Sequence, residues 1–313
     1  MPTPAEILSS LSAKAEAITK AIDRKQTALD RRLSRLEREL FTLLQAELFG
    51  RLQFDKDGKL LNNTHNLALL IRIDKAFERF EKLFLKDVLS AYVSDLIQVS
   101  ALTGEMYTGE GTDALIKKIA ADNALLRASI GVTSSGRVVQ GSVLWEVSQS
   151  APVRQGVKNV VISAIQAGFT LKDLTDTLRD FLQGAKGVGG RLRKFWRTYA
   201  YDVFNQAAEI KNEQFRRGLG MQWFIYVGDI IQDSREFCIS KAGKVFAVIE
   251  ADTEWPNDPD LIGKNSGIPY TPRIDRGRWN CRHRIRYITE EMAAQLDSKK
   301  VQQIQEKYGS NSL

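Results

Sequence analysis

The fold class turns on Gln222-Trp223-Phe224-Ile225-Tyr226-Val227, an unbroken run of aromatic and branched residues just after Gly218 and Gly220. Such composition reads as a buried strand. No comparable run precedes it. Two more follow, Lys244-Val245-Phe246-Ala247-Val248 and Arg284-Ile285-Arg286-Tyr287-Ile288, the last with alternating charge. Between them lies a long loop, Asp252 to Gly277, with four of the chain's seven prolines and Trp255, while Trp223 and Trp279 flank it. A small sheet with an indole-rich core is expected, and Thr289 opens a last helix ending by Tyr308. The fold class is mainly α with a small C-terminal α+β module.

Everything upstream has helical periodicity. Ile7, Leu8, Leu11, Ala15, Ile18 and Ile22 recur at three- and four-residue spacing, and Leu29, Leu33, Leu36, Leu40 and Leu43 continue the pattern. Two successive four-residue steps at Lys25, Leu29 and Leu33 form a stutter, which locally unwinds a supercoil. Residues 1–50 are therefore expected to be an extended helical interaction arm with a narrow apolar seam. Asp55-Lys56-Asp57-Gly58-Lys59 reads as a tight turn: an EF-hand loop needs a Glu at its twelfth position, where Asn66 stands. Residues 51–150 read as a helical domain, with helices over Asn66–Val99 and Ala114–Ala128 and a loop from Thr103 to Thr112. His65, in Asn-Asn-Thr-His-Asn, reads as a helix-start residue rather than a ligand.

Residues 151–313 form the third segment, with helices over 151–217, the sheet over 221–290 and the terminal helix over 290–308. Thr170 and Asp173 have the spacing of a capping box with Asp in place of Glu. The glycine-rich Gly184–Gly190 lacks the preceding strand and the following Gly-Lys-Ser/Thr of a phosphate loop, so it reads as a helix–helix connection.

The net charge of +7 is concentrated in one segment: residues 151–220 carry 12 Lys and Arg against 6 Asp and Glu. Lys186, Arg191, Arg193, Lys194 and Arg197 follow one another without an acidic residue between Asp180 and Asp202. They are candidate contacts to phosphates of double-stranded DNA. A second cluster, Arg273, Arg276, Arg278, Arg282, Arg284 and Arg286, is opposed only by Asp275. Each cluster also reads as an ordinary solvated face. No stretch reaches the roughly 18 consecutive apolar residues of a membrane span, and the opening Met1–Glu6 lacks the basic and apolar regions of a secretory signal. Two cysteines exclude a disulfide scaffold and point to assembly in a reducing compartment.

Three short stretches then fall into one order. Trp196-Arg197-Thr198 with Asn205-Gln206-Ala207-Ala208 lies on the basic helix. Asp233-Ser234-Arg235-Glu236-Phe237-Cys238 follows the first strand, with Gly243 beyond it. Gly277-Arg278-Trp279-Asn280-Cys281-Arg282-His283 leads into the last strand. Together with the helix start Ala167-Gly168-Phe169-Thr170-Leu171-Lys172-Asp173-Leu174, this order resembles the phage Mu F-like family of minor head (head morphogenesis) proteins over roughly residues 150–290. The resemblance implies a virion protein in a few copies near the portal, acting in head assembly and in DNA packaging or ejection. It also implies that Arg197, Thr198, Asn205, Asp233, Arg235 and Asn280 stabilise the module. The sequence departs from the commoner ending: Arg278 stands where the pattern has His, and His283 where it has the last Cys. No ligand set is carried over.

Read from chemistry alone, Cys238, Cys281 and His283 are three soft ligands, the last two on one face of an extended chain. They admit a structural zinc, with Asp233 as a possible fourth ligand, a disulfide, or two buried thiols with Asp233 and Arg235 pinning the long loop. A nucleophile–base pair is the catalytic alternative, but no carboxylate is positioned by the sequence to orient His283.

The expected function is thus a non-enzymatic virion component, without a required cofactor, in the capsid interior or at the portal vertex and in the host cytoplasm during assembly. It would bind the portal or another capsid protein through its N-terminal helix, touch packaged DNA without reading sequence, and involve no membrane. The alternatives are a virion-delivered toxin or DNA-modifying enzyme, and a purely structural head–tail adaptor.

Overall fold

The computed structural model describes residues 3–185 and 189–309, without the side chains of Leu85, Lys86, Val143, Glu146, Val147 and Thr198. It is mainly helical with a small C-terminal sheet. The opening helix runs Pro4–Leu48, and the longest later ones are Leu70–Phe84, Ser90–Leu102, Ala151–Ala167, Leu171–Gln183, Arg191–Leu219 and Glu290–Tyr308. Helix ends follow local chemistry. Thr170 Oγ1 accepts from the Asp173 amide while Asp173 Oδ2 accepts from the Thr170 amide, the expected capping box. At the Asp55 turn, one Asp55 carboxylate oxygen accepts from the amides of Asp57 and Lys59, and Gly58 takes the left-handed conformation.

Two compact units share the chain. One comprises Met1–Arg24, Asp95–Leu126 and Tyr201–Leu313, the other Lys25–Ser94 and Arg127–Ala200. The consecutive segments 1–50, 51–150 and 151–313 therefore do not map onto them; each contributes to both. The first change of unit falls at Lys25, but Gln26 rather than Lys25 is buried there, and Ile18, Ile22, Gln26, Leu29 and Leu33 lie on one continuous face of the helix.

The expectation of an extended interaction arm is corrected here. Leu11, Ala15, Ile18, Ile22, Leu29, Leu33, Leu36, Leu40, Leu44 and Leu48 are all buried within the chain. An apolar seam left in water would forgo roughly 1.5–3 kcal/mol per large side chain, and the chain's own elements claim that gain.

In the unit containing Lys25–Ser94, the core is an aromatic row with a leucine face. Phe84 and Tyr92 pack on Trp196 with ring centroids 4.8 and 5.9 Å away, and Leu174, Leu178 and Leu182 are fully buried. Arg154 and Lys158 of helix Ala151–Ala167 pair with Glu81 and Asp74 of helix Leu70–Phe84.

The other unit holds the antiparallel sheet: β1 (Trp223–Val227) lies between β2 (Val245–Ala247) and β3 (Arg284–Ile288). In register, Trp223 faces Ala247 and Ile288, and Ile225 faces Val245 and Arg286. Strand parity sorts the two faces. Trp223, Ile225 and Val227 join an aliphatic cluster with Leu11, Ala15, Ile288, Ala293, Val301 and Ile304. Phe224 and Tyr226 face an aromatic layer in which Trp255 makes edge contacts with Phe224, Tyr226, Phe237 and Phe246, centroids 5.4–5.6 Å apart.

The core is less indole-rich than expected: Trp223 and Trp255 are buried, but Trp279 is 41% exposed. The segment Thr103–Thr112 is no loose loop either, because its first half, Thr103–Tyr107, is a buried 3-10 turn. The helix expected over Ala114–Ala128 is two, Asp113–Ala121 and Ala124–Ile130.

Replacing Trp255 by alanine should lower unfolding stability by about 3–5 kcal/mol, as loss of a large buried aromatic does. The check is the urea midpoint.

Candidate functional site

The site is assembled on the C-terminal half of helix Arg191–Leu219. Asp202, Asn205, Gln206, Glu209, Asn212 and Glu213 recur three and four residues apart and so form one stripe. Glu209 is 2% exposed and its Oε1 accepts from Arg276 at 2.8 Å and Arg284 at 3.3 Å. Asn205 Oδ1 accepts from the same Arg284 at 2.6 Å. Asn212 donates to the Ile285 carbonyl at 2.6 Å and to Glu209 at 3.0 Å, and accepts from the Tyr107 hydroxyl. One turn on, Glu213 accepts from Arg216, Arg217, Arg273 and the Tyr287 hydroxyl. Arg286 pairs with Glu110 at 2.8 Å and lies 4.0 Å over the Tyr107 ring.

This network overturns the reading of the second arginine cluster as an ordinary solvated face. Arg276, Arg278, Arg284 and Arg286 are buried, Arg273 is engaged by Glu213 and Asp252, and Arg282 alone of the six is exposed, 3.9 Å from Asp23.

The network fixes the loop that carries the third motif. Arg276, Arg278 and Asn280 all have positive φ, between 50° and 62°, a conformation that costs a non-glycine residue about 1–3 kcal/mol. Four bonds hold it. Arg235 donates to the carbonyls of Gly277 at 2.9 Å and Trp279 at 2.5 Å, Asp202 Oδ1 accepts from the Asn280 amide at 2.7 Å, and the Tyr270 hydroxyl donates to the Arg276 carbonyl at 2.6 Å.

The folded-back loop carries Cys281 to Cys238, which sits on the short helix Glu236–Lys241. Both thiols are buried and free, with sulfurs 3.9 Å apart. The Tyr226 hydroxyl is 3.4 Å from each. His283 stacks on the Tyr226 ring, centroids 5.2 Å apart and planes within 9°, and ligand atoms of Cys238, Cys281 and His283 all lie within 4.8 Å of one another. Two glycines make room. A Cβ on Gly277 would stand 2.6 Å from Cys238 Sγ, and one on Gly228, whose φ is 144°, would meet His283 at 3.0 Å. The triad lines a cavity of about 430 Å³ whose other walls include Asp229, Asp233, Arg235 and Asn280.

The two thiols shift in opposite directions. The hydrogen bond between Cys238 and Cys281, with help from His283 and Arg276, holds Cys281 well below the ordinary thiol range despite its burial. Cys238 is pushed up by the same partner and by burial. Burial raises Tyr226 well above its usual value, so it stays protonated and can donate.

The sequence-derived site residues divide accordingly. Asn205, Asp233, Arg235 and Asn280 meet around one loop and cavity, as do Cys238, Cys281 and His283. Arg197 does not join them: it is exposed, 3.7 Å from Asp30. Thr198's side chain and the whole of Lys186 lie outside the described residues. Of the remaining DNA-contact candidates, Arg193 is committed to Glu37 at 2.8 Å and to the Gln183 carbonyl, while Arg191, Lys194 and Arg197 are exposed. Sequence reading missed Asp202, Glu209, Asn212, Tyr226 and Tyr107. The legible signal was a polar stripe at helical spacing facing arginines at period two. Comparison with family models, curated proteins and solved structures finds no match for the chain.

Glu209→Ala should cost about 3–5 kcal/mol, because it strands two buried guanidinium groups, and the triple replacement Glu209→Leu, Arg276→Met, Arg284→Met should recover part of the loss; urea unfolding of both variants measures it. Burial pushes Glu213 up, but its bonds from Arg216 and the charge of Arg273 outweigh this and leave it below the ordinary carboxyl value. Its stabilisation is therefore complete above the unfolded value of about 4.3 and drains away as pH falls through the lower folded value. Stability followed from pH 6 down to pH 3 should fall less steeply in Glu213→Gln than in the wild type, by roughly the contribution of one such carboxylate.

Proposed function

We propose that the chain is a virion minor head protein of the Mu F-like kind, a non-enzymatic component that acts in head assembly and in DNA packaging or ejection. One observation carries the reading: the second and third motif stretches meet in a single lobe beside Asn205 of the first, although Arg197 lies apart from them. Asn205 meets Arg284 just after the third stretch, the adjacent Asp202 meets Asn280, and Arg235 grips the carbonyls of Gly277 and Trp279. Residues that recur in that order need a shared task, and clasping one strained loop is such a task.

The partner surface differs from the sequence-based expectation, since the seam of the first helix is filled by the chain itself. Exposed Ile231 lines the cavity, with exposed Ile230 next to it in sequence and exposed Trp279 on the loop that carries Asn280, and such apolar side chains favour a protein partner such as the portal or another capsid subunit. The virion, at the portal vertex or inside the capsid, is the corresponding location.

Contact with packaged DNA would use Arg191, Lys194 and Arg197, spaced three apart and within one side of their helix. Such cations position a duplex without reading its bases.

Two experiments test the proposal. In cells producing the cognate heads, the tagged chain should sediment with particles, and Asp202→Ala, which frees the Asn280 loop, should reduce its incorporation several-fold; full heads that exclude the wild-type chain would sink the reading. In a DNA-binding titration, Arg191, Lys194 and Arg197 changed together to alanine should make the slope of log affinity against log salt shallower by about 2–3. An unchanged slope removes the DNA contact while leaving the particle assignment to the first experiment.

A further inference from the structure

We propose that Cys238, Cys281 and His283 bind one zinc ion, and that its fourth coordination position opens onto the cavity bordered by Asp229, Asp233 and Asn280.

The geometry fits this ion. With Zn–S bonds of about 2.3 Å at tetrahedral angles, two thiolate ligands stand about 3.8 Å apart; Cys238 and Cys281 stand at 3.9 Å. That separation is nearly twice the S–S bond of about 2.05 Å, so the pair is set for a shared metal rather than a disulfide. Two thiolates and an imidazole form a soft, nitrogen-containing set that selects zinc over magnesium or calcium.

A second, independent feature points to a ligand. His283 is 3% exposed, and its Nε2 is buried without a hydrogen-bond partner. An unpaired buried polar atom costs about 1–3 kcal/mol. A ring stacked on Tyr226 and backed by Gly228 cannot swing away to find water. Coordination through this nitrogen would satisfy it.

The surroundings suit a bound ion as well. The Tyr226 hydroxyl, 3.4 Å from both sulfurs, is placed to donate its one proton to either thiolate, the outer-shell role that orients ligands and tunes affinity. Two thiolates and a divalent cation sum to zero charge, which removes the cost of burying neighbouring sulfur anions. Gly277 leaves the space in which Cys238 Sγ sits. Asp233 borders the cavity but does not belong to the group of ligand atoms within 4.8 Å. Three protein ligands beside an open cavity give the coordination of an exchangeable site, with solvent in the fourth position.

The test uses the full-length chain, purified with zinc present and then dialysed. Close to one zinc per chain is expected, falling below about 0.2 in Cys238→Ser and Cys281→Ser variants whose circular dichroism matches the wild type. Gly277→Ala, which touches no ligand chemistry but crowds Cys238 Sγ, should weaken zinc about 10–100-fold, the usual effect of disturbing a supporting shell. Because a serine variant can misfold, the wild type carries a separate readout. Zinc stripped with a chelator and replaced by cobalt should give thiolate-to-cobalt charge transfer and the strong visible bands of a tetrahedral site, and thiocyanate should shift those bands by entering the open position. Wild-type chain holding under about 0.2 zinc, or cobalt without charge transfer, overturns the site. Tetrahedral bands indifferent to thiocyanate overturn the open position and leave a closed four-ligand set. None of these outcomes depends on incorporation into particles.

Discussion

A single carboxylate, Glu209, holds two guanidinium groups in the interior, and the C-terminal lobe depends on it. Arg276 starts the loop that carries the third motif, Arg284 starts β3, and both converge on one oxygen of a helical side chain. Moving such charges out of water costs several kcal/mol per ion, and mutual attraction offsets this only where the remaining donors are also satisfied. Here Asn205 takes a second donor of Arg284 and the His283 carbonyl takes one from Arg276, while the Nε of each arginine stays buried without a partner, so the offset is partial. Apolar packing of equal volume would hold the same elements together without specifying their register. Directional bonds from β3 to Asn205, Glu209 and Asn212 fix that strand against the helix, and with it the height at which Cys281 and His283 leave the loop.

Much of this fold was legible in sequence. Helix periodicity, the Thr170 capping box, the Asp55 turn and all three strands follow from local rules, because each depends on residues within a few positions of one another. The fate of the first helix's seam was not legible: an apolar stripe states that something must cover it, not whether the cover is in the same chain. The site was half legible. Cys238, Cys281 and His283 stand out by chemistry alone, whereas Glu209 and Asn212 look like ordinary solvent-facing residues of a charged helix until Arg276, Arg284 and the Ile285 carbonyl are opposite them.

Charge counting shows the same limit from another side. The C-terminal arginines and the residues on helix Arg191–Leu219 look alike in a tally, yet Arg284 and Arg286 are 1% exposed and Arg197 is 70% exposed at its side chain. Local context separates them. The arginines of β3 alternate with Ile285 and Tyr287 in a strand buried on both faces, where a charged side chain persists only with a partner. Arg197 lies on a helix beside exposed Tyr199, where long basic side chains keep their heads in water. The C-terminal arginines therefore count fully in a tally but add little cationic surface.

The strained loop is the feature that gives the buried arginines a purpose beyond stability. Left-handed Arg276, Arg278 and Asn280 would relax to extended backbone if nothing opposed it, and an extended path would carry Cys281 away from Cys238. Four groups from three segments oppose it: Asp202 and Glu209 on one helix, Arg235 and Tyr270. A fold that needed only to close a loop would place glycine or asparagine at each such position. Here Asn280 alone follows that preference, and the two arginines between Asp275 and Trp279 sit in the costly conformation because each buries its head, Arg276 on Glu209 and Arg278 over the Tyr270 ring. The backbone strain and the arginine anchors are thus two halves of one device, and what it brings together is the pair of thiols and the imidazole at the cavity wall.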